Sequence, residues 1–142
     1  MDLGVAGDTA VVTASSSGLG KASAAALAEE GANVVICGRT PDRLYSPRDE
    51  LAGLDGDVLA VEADITDPDD VDALLAATVA EFGGIDHVVT SAGGPPSGSF
   101  LDTEESDWYD AYDLLVMSAV RVLDGAHDHL VESDAGTWTA IT

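Results

Sequence analysis

Short apolar runs alternate with longer amphipathic ones along the chain, and that alternation predicts a strand–helix order repeated from end to end. Thr9–Thr13, Asn33–Gly38, Val58–Glu62, His87–Thr90 and Thr137–Ile141 read as strands. Their near-continuous hydrophobicity is that of strands covered on both faces, as in a parallel sheet. Gly18–Glu30 reads as an Ala-rich helix stopped by Gly31. Pro68–Phe82 has Asp67 as N-cap, Pro68 at the first helical position and Asp69 and Asp70 in the first turn, with Gly83-Gly84 closing it. Glu104–Leu130 contains another helix, apolar on more than one side through Leu114, Leu115, Val116, Met117 and Val120. Pro41–Leu54 is helical in pattern, but Pro47 falls in its middle and predicts a break or kink. Strands and helices in this order predict right-handed crossovers and an α/β, doubly wound parallel sheet ending at about the fifth strand.

Composition sharpens this picture. The 142 residues suffice for one domain, 1–142, and the 46 % hydrophobic content allows a real core. Five Lys+Arg stand against 27 Asp+Glu, a formal net charge of −22. Such a surface repels phosphate backbones and anionic membranes, so neither nucleic acid nor a membrane is expected as a partner. The acids are scattered through periodic segments instead of forming a tail, which suggests a globular surface adapted to concentrated salt, as in a halophile. Cys37, the single cysteine, lies in an apolar run and reads as a small buried hydrophobe. With no signal-like start and no apolar run near the roughly 18 residues of a membrane span, the sequence predicts a cytoplasmic location.

The candidate chemistry sits directly after the first strand. Ala14-Ser15-Ser16-Ser17-Gly18-Leu19-Gly20 is a turn of small residues opening into a helix. It lets backbone approach a pyrophosphate and presents the free N–H groups of a helix N-terminus. Ser15 and Ser17 are placed either to bond ribose or phosphate or to cap the helix. Lys21 is placed either to attract an anionic ligand or to sit solvated on the surface. The second strand ends Cys37-Gly38-Arg39, without the acid that usually bonds a ribose 2′-hydroxyl and with an arginine suited to a 2′-phosphate. Arg39 is therefore the expected determinant of a preference for NADP over NAD. Arg43 and Arg48 lie close by, and pairing with surface acids is the expectation for both.

Thr13 to Gly20 resembles the Thr-Gly-x-x-x-Gly-x-Gly fingerprint of the short-chain dehydrogenases/reductases. Asp64, followed by Ile65, stands where that family has an aspartate contacting adenine. Asp86 precedes the fourth strand as in the family, and Thr90-Ser91-Ala92-Gly93 stands where the family has Asn-Asn-Ala-Gly. Gly93-Gly94-Pro95-Pro96-Ser97-Gly98 is similar to the branch near 3-oxoacyl-[acyl-carrier-protein] reductases. The resemblance implies an NADP-dependent oxidoreductase acting on a ketone or secondary alcohol, with Ala14, Ser15, Ser17, Gly18, Leu19, Gly20, Arg39, Asp64, Ile65, Ser91, Ala92 and Gly93 at the cofactor.

There are departures. Ala14 replaces a glycine, which is harmless only where its φ is negative. Thr90 and Ser91 replace two asparagines, and Leu115 falls where the family carries its helix asparagine. The family's catalytic serine and Tyr-x-x-x-Lys would lie beyond Thr142, and Tyr45, Tyr109 and Tyr112 have no lysine at that spacing. His87, His127 and His129 form no metal set. The chain is therefore expected to supply the cofactor-binding part of such an enzyme, with an open edge on the fifth strand and a tendency to self-associate. The alternative is a non-catalytic nucleotide-binding or dimerisation module.

Overall fold

In the computed structural model, which describes residues 1–142, five strands form one parallel sheet. They are β1 (Thr9–Val12), β2 (Asn33–Gly38), β3 (Val58–Glu62), β4 (His87–Thr90) and β5 (Thr137–Ala140), in the spatial order β3-β2-β1-β4-β5. Successive residues on the central strands face opposite cores. Val11, Val35 and Val88 point to one side, where they meet α3 (Pro68–Phe82) and α5 (Ser118–Glu132) through Val71, Leu74, Val122 and Ala126. Val12, Ile36 and Val89 point to the other, against α1 (Gly18–Glu29) and α2 (Asp42–Leu51) through Ala24, Ala28, Leu44 and Leu51. Burial on both faces explains why these strands read as unbroken apolar runs.

The sheet starts at β1 and grows first towards β3, then returns to the other side of β1 with β4. This reversal leaves a crevice at the carboxyl ends of β1 and β4, the place where open α/β sheets bind ligands. Asp86 holds the opposite end of the same strands together. Its carboxylate accepts the Thr9 N–H at 2.8 Å and the Ser133 hydroxyl at 2.6 Å, and its carbonyl accepts the Thr137 N–H at 2.9 Å. One residue thereby ties β1, β5 and the chain following α5.

The expected helix starts and stops hold at α3, where Asp67 accepts the Asp69 N–H at 2.9 Å and Gly83 closes the helix with φ +87°. Three expectations are corrected. Pro47 does not break α2: it deletes only one donor, and its ring is buried on the same stripe as Leu44 and Leu51. The stretch expected as one helix within Glu104–Leu130 is α4 (Glu105–Tyr112), a π-helical segment Asp113–Met117, and α5 running on to Glu132. Finally, β5 is not covered on both faces, because all four of its residues are exposed.

That exposure continues along α4, which has no buried residue. Trp108, Tyr109 and Tyr112 face outward on it, as do Phe100 and Leu101 on the 3-10 turn Phe100–Asp102 just before it, with the Phe100 and Trp108 rings 6.4 Å apart. No helix is long and apolar enough to cross a membrane.

Candidate functional site

The loop between β1 and α1 takes its shape from three residues. Ala14 has φ +48°, in the left-handed region where a side chain costs about 1–2 kcal/mol. The condition under which alanine would be harmless here is not met. Ser15 is fully buried: its hydroxyl donates to the Val12 carbonyl at 2.6 Å and accepts the Cys37 N–H at 2.9 Å. It pins the loop to β2, so neither of the roles expected for it, ligand contact or helix cap, is what its hydroxyl performs. Gly20 lies so close to the loop that a Cβ on it would come within 2.5 Å of the Ala14 carbonyl oxygen. Helix and loop touch backbone to backbone there.

The strain at Ala14 gives a first expected outcome. Ala14→Gly should raise the unfolding free energy by about 1 kcal/mol, after the greater flexibility of glycine in the unfolded chain is set against the relief. Denaturant unfolding in concentrated salt measures it. A midpoint that falls would mean that the loop does not hold Ala14 in this conformation.

Ser17 occupies the N-cap position of α1 in extended conformation, but its hydroxyl makes no bond to the helix. Gly18 follows with φ +60°, and a Cβ added to it or to Gly93 would meet no protein atom within 4 Å. Both backbone faces are open to a ligand. The first-turn N–H groups of α1 point out of the helix towards the same space, as at any helix start.

The facing wall is the chain after β4. The Thr13 hydroxyl donates to the Ser91 carbonyl at 2.6 Å and accepts the Ser91 N–H at 2.8 Å, which fixes the spacing of the two loops. Ser91 thus engages the loop through its backbone and leaves its hydroxyl unbonded. Thr90, the other asparagine replacement, accepts the Trp138 indole N–H at 2.9 Å and is turned towards β5. Leu115 lies on the π-helical segment and borders the crevice, presenting an apolar side chain to it.

These elements enclose a cavity of about 830 Å³, within the range of small-molecule and cofactor sites. Ala14, Ser17, Gly18, Leu19, Gly20, Arg39, Ile65, Ser91, Ala92 and Gly93 all line it; of the residues expected at the cofactor, only Ser15 and Asp64 do not. Asp64 sits just outside. One carboxylate oxygen accepts both the Thr66 hydroxyl (2.7 Å) and the Thr66 N–H (2.9 Å), and those bonds, with a smaller attraction from Arg39, hold its carboxyl below the usual range. Its other oxygen makes no hydrogen bond to the protein. Sequence reasoning missed Ser16, Thr40, Arg43 and Ser118, which also line the cavity. The three-serine run and the spacing of Arg39 and Arg43 were the available signals.

The cations divide sharply. Lys21 is neither free on the surface nor turned to the cavity: it pairs with Glu50 of α2, whose carboxyl is lowered by that bond and by the Ser46 hydroxyl. Arg48 pairs with Asp49 at 2.9 Å and lies over the Tyr45 ring, as expected for a surface arginine. Arg121 pairs with Asp113. Arg39 and Arg43 have no ion pair, and for Arg43 this overturns the expected pairing with a surface acid. Cys37 is buried, and burial pushes its thiol up to about 11, so it is a core residue and not a nucleophile.

The sequence model of the short chain dehydrogenase family matches residues 8–142. An uncharacterized oxidoreductase of Staphylococcus aureus (strain N315) is 35 % identical over 127 residues, covering 89 % of this chain and 54 % of the relative. Among solved structures, L-sorbose reductase of Gluconobacter frateurii, complexed with NADPH and L-sorbose, is 37 % identical with a TM-score of 0.86, over 92 % of this chain and 50 % of that one. A hydroxysteroid dehydrogenase of Escherichia coli is 29 % identical with a TM-score of 0.91, over 97 % and 58 % respectively. The chain spans about half the length of the relatives it matches.

Proposed function

The chain belongs to the short-chain dehydrogenase family, and from that premise we propose that it is the NADP-binding part of an oxidoreductase moving hydride between the cofactor and a ketone or secondary alcohol. The observation that carries this reading is the cavity at the strand reversal, walled by open glycine backbone on one side and bordered by an unpaired Arg39 on the other. The residues fit the cofactor chemically. The α1 N-terminus with Gly18 and Gly20 suits the pyrophosphate, Arg39 a 2′-phosphate, and Asp64 has a free oxygen beside Ile65 for a base amino group.

A bound nicotinamide dinucleotide supplies or accepts the hydride. The chain's own residues bind it and limit where it can lie: the Thr13–Ser91 bonds fix the width of the crevice, and Leu115 and Val116 line it with apolar side chains. No tyrosine among these residues has a lysine four positions on, so we assign proton transfer to none of them. The substrate class is a small carbonyl or alcohol compound, with a 3-oxoacyl thioester as one member that the Gly93–Gly98 run favours. The charge of −22 supports a high-salt cytoplasm as the setting.

Titrating the chain with NADPH and with NADH in concentrated salt tests the reading. NADPH should bind more tightly, and Arg39→Ala should weaken NADPH by about tenfold or more while leaving NADH within about twofold. Equal losses for the two cofactors would sink the NADP assignment, and no binding of either would sink the oxidoreductase reading.

A further inference from the structure

The π-helical segment Asp113–Met117 interrupts the run from α4 to α5 beside the crevice. In a plain α-helix the Ser118 N–H would donate to the Leu114 carbonyl, four residues back. Here it donates to the Asp113 carbonyl, five back, and the Ser118 hydroxyl donates to Leu114 in its place. Such wide turns are rare and gather at functional sites, and something has to hold them open.

A second contact spans this turn. Arg121 of α5 donates from one terminal nitrogen to the Asp113 carboxylate, eight residues back. Its other terminal nitrogen, Nη1, is buried and has no hydrogen-bond partner. A surface arginine would turn that nitrogen to water, so the guanidinium is kept in this position at a cost. Eight residues at about 100° each would leave Asp113 and Arg121 about 80° apart around a plain α-helix. The wide turn absorbs one residue, so the two stand as residues seven apart do, within about 20° of one line and about 10 Å apart along the axis. A long side chain leaning towards the helix N-terminus closes that gap. The pair fits the wide turn and falls out of line in the narrow one.

We infer that Arg121 is a positioning residue for the crevice: through Asp113 it holds the π turn, and the π turn decides which side chains of this helix face the ligand. Only one end of the helix is free to respond when the turn closes. α5 is fixed by Val122 and Ala126 in the core and by Gly125, where a Cβ would come within 2.5 Å of the Leu75 side chain. α4 buries no residue. Closing the wide turn to a plain one therefore swings the chain before it by one residue step, about 100°. Leu114, Leu115 and Val116 belong to that part and are carried out of the crevice wall, while Ser118 and Ala119 follow the turn and stay. This deepens the oxidoreductase reading above, and only its cofactor readout rests on that reading.

Variants are compared with the parent chain in concentrated salt by Tm, by amide hydrogen exchange across residues 113–118, and by NADPH titration. Arg121→Met and Asp113→Asn are each expected to speed that exchange by about tenfold and to weaken NADPH by about five- to tenfold. They change the net charge in opposite directions, so a long-range charge effect would move the two affinities apart and not together. Arg121→Lys keeps the charge and most of the reach, and should bring affinity back to within about threefold of the parent. Arg121→Met should hold Tm within about 3 °C, because an apolar chain of similar length replaces a buried charge at little cost. Exchange beyond Val122 should stay at the parent level throughout. Arg48→Met removes a cation that does not border the cavity and should change exchange and affinity by less than about twofold. Affinities that move in opposite directions in Arg121→Met and Asp113→Asn, or exchange that stays unchanged in both, would overturn the inference. So would a loss in Arg121→Lys equal to that in Arg121→Met, or faster exchange with unchanged affinity, which would make the pair a matter of stability alone. If the parent chain binds no NADPH, the oxidoreductase reading fails, and the exchange comparison still decides whether Arg121 holds the turn.

Discussion

Gly20→Ala is expected to lower the unfolding free energy by about 2–3 kcal/mol and to abolish measurable cofactor binding. The added Cβ would stand 2.5 Å from the Ala14 carbonyl oxygen and 3.0 Å from that of Thr13. Both neighbours are backbone, and neither can rotate away. Ala14 is already in the left-handed region, and Ser15 is tethered to Val12 and Cys37, so the loop cannot yield without losing buried hydrogen bonds. The helix must move instead, and the first-turn N–H groups beside the cavity move with it. Gly93→Ala provides the contrast. A Cβ there meets no protein atom within 4 Å and the residue does not have positive φ, so stability should hold while the cofactor loses space. Denaturant unfolding and NADPH titration of the two variants separate fold from ligand. A Gly20→Ala protein with parent stability and affinity would mean that the close approach of helix and loop is dispensable.

The two glycines also mark where the sequence could be read and where it could not. The parallel sheet was legible because burial on both faces forces apolar residues at consecutive positions, and the short β-branched run Val34–Ile36 between Gly31 and Gly38 favours a strand over a helix. The start of α3 was legible because capping is local chemistry: Asp67, Pro68 and Asp69 act within one turn. Most of the cavity lining followed from position alone, since a small-residue turn between the first strand and first helix has one place to lie in a doubly wound sheet.

What the sequence hid depends on partners distant along the chain. Ser15 read as either a ligand contact or a helix cap until β2 was laid beside it, when its hydroxyl proved to be shared between Val12 and Cys37. Lys21 found its acid on α2, 29 positions away, and Arg43 was left without one. Charge pairing is decided by tertiary geometry, and local patterns predict it poorly in a chain where every segment carries acids. Pro47 misled for the opposite reason. Its local cost is real, but the core contact of its ring with the Leu44–Leu51 stripe outweighs one lost hydrogen bond. The π-helical turn at Asp113–Met117 has no sequence signature of its own; it is recognised only once α4 and α5 are seen to continue across it.

NADPH affinity is expected to rise with salt, by on the order of tenfold to a hundredfold between about 0.05 M and 2 M, the reverse of ordinary anion binding. Two fields of opposite sign act on a multiply anionic ligand approaching this protein. The local one comes from Arg39, Arg43 and the α1 N-terminus and acts over contact distance, where salt screens weakly. The global one comes from a net charge of −22 spread over the whole surface, and it reaches as far as the Debye length allows. At about 0.1 M that length is roughly 10 Å, enough for many carboxylates to repel the ligand together; at about 1 M it falls to about 3 Å, and only the contact field remains. The same screening relieves repulsion among the carboxylates themselves, so unfolding free energy should climb over the same range. NADPH titrations at several potassium chloride concentrations check the argument, with the fraction folded followed alongside so that refolding is not mistaken for tighter binding. Affinity that falls with salt on a fully folded chain would mean that the positive charge bordering the cavity dominates at every distance. The acidic surface would then have no part in how the cofactor reaches its site.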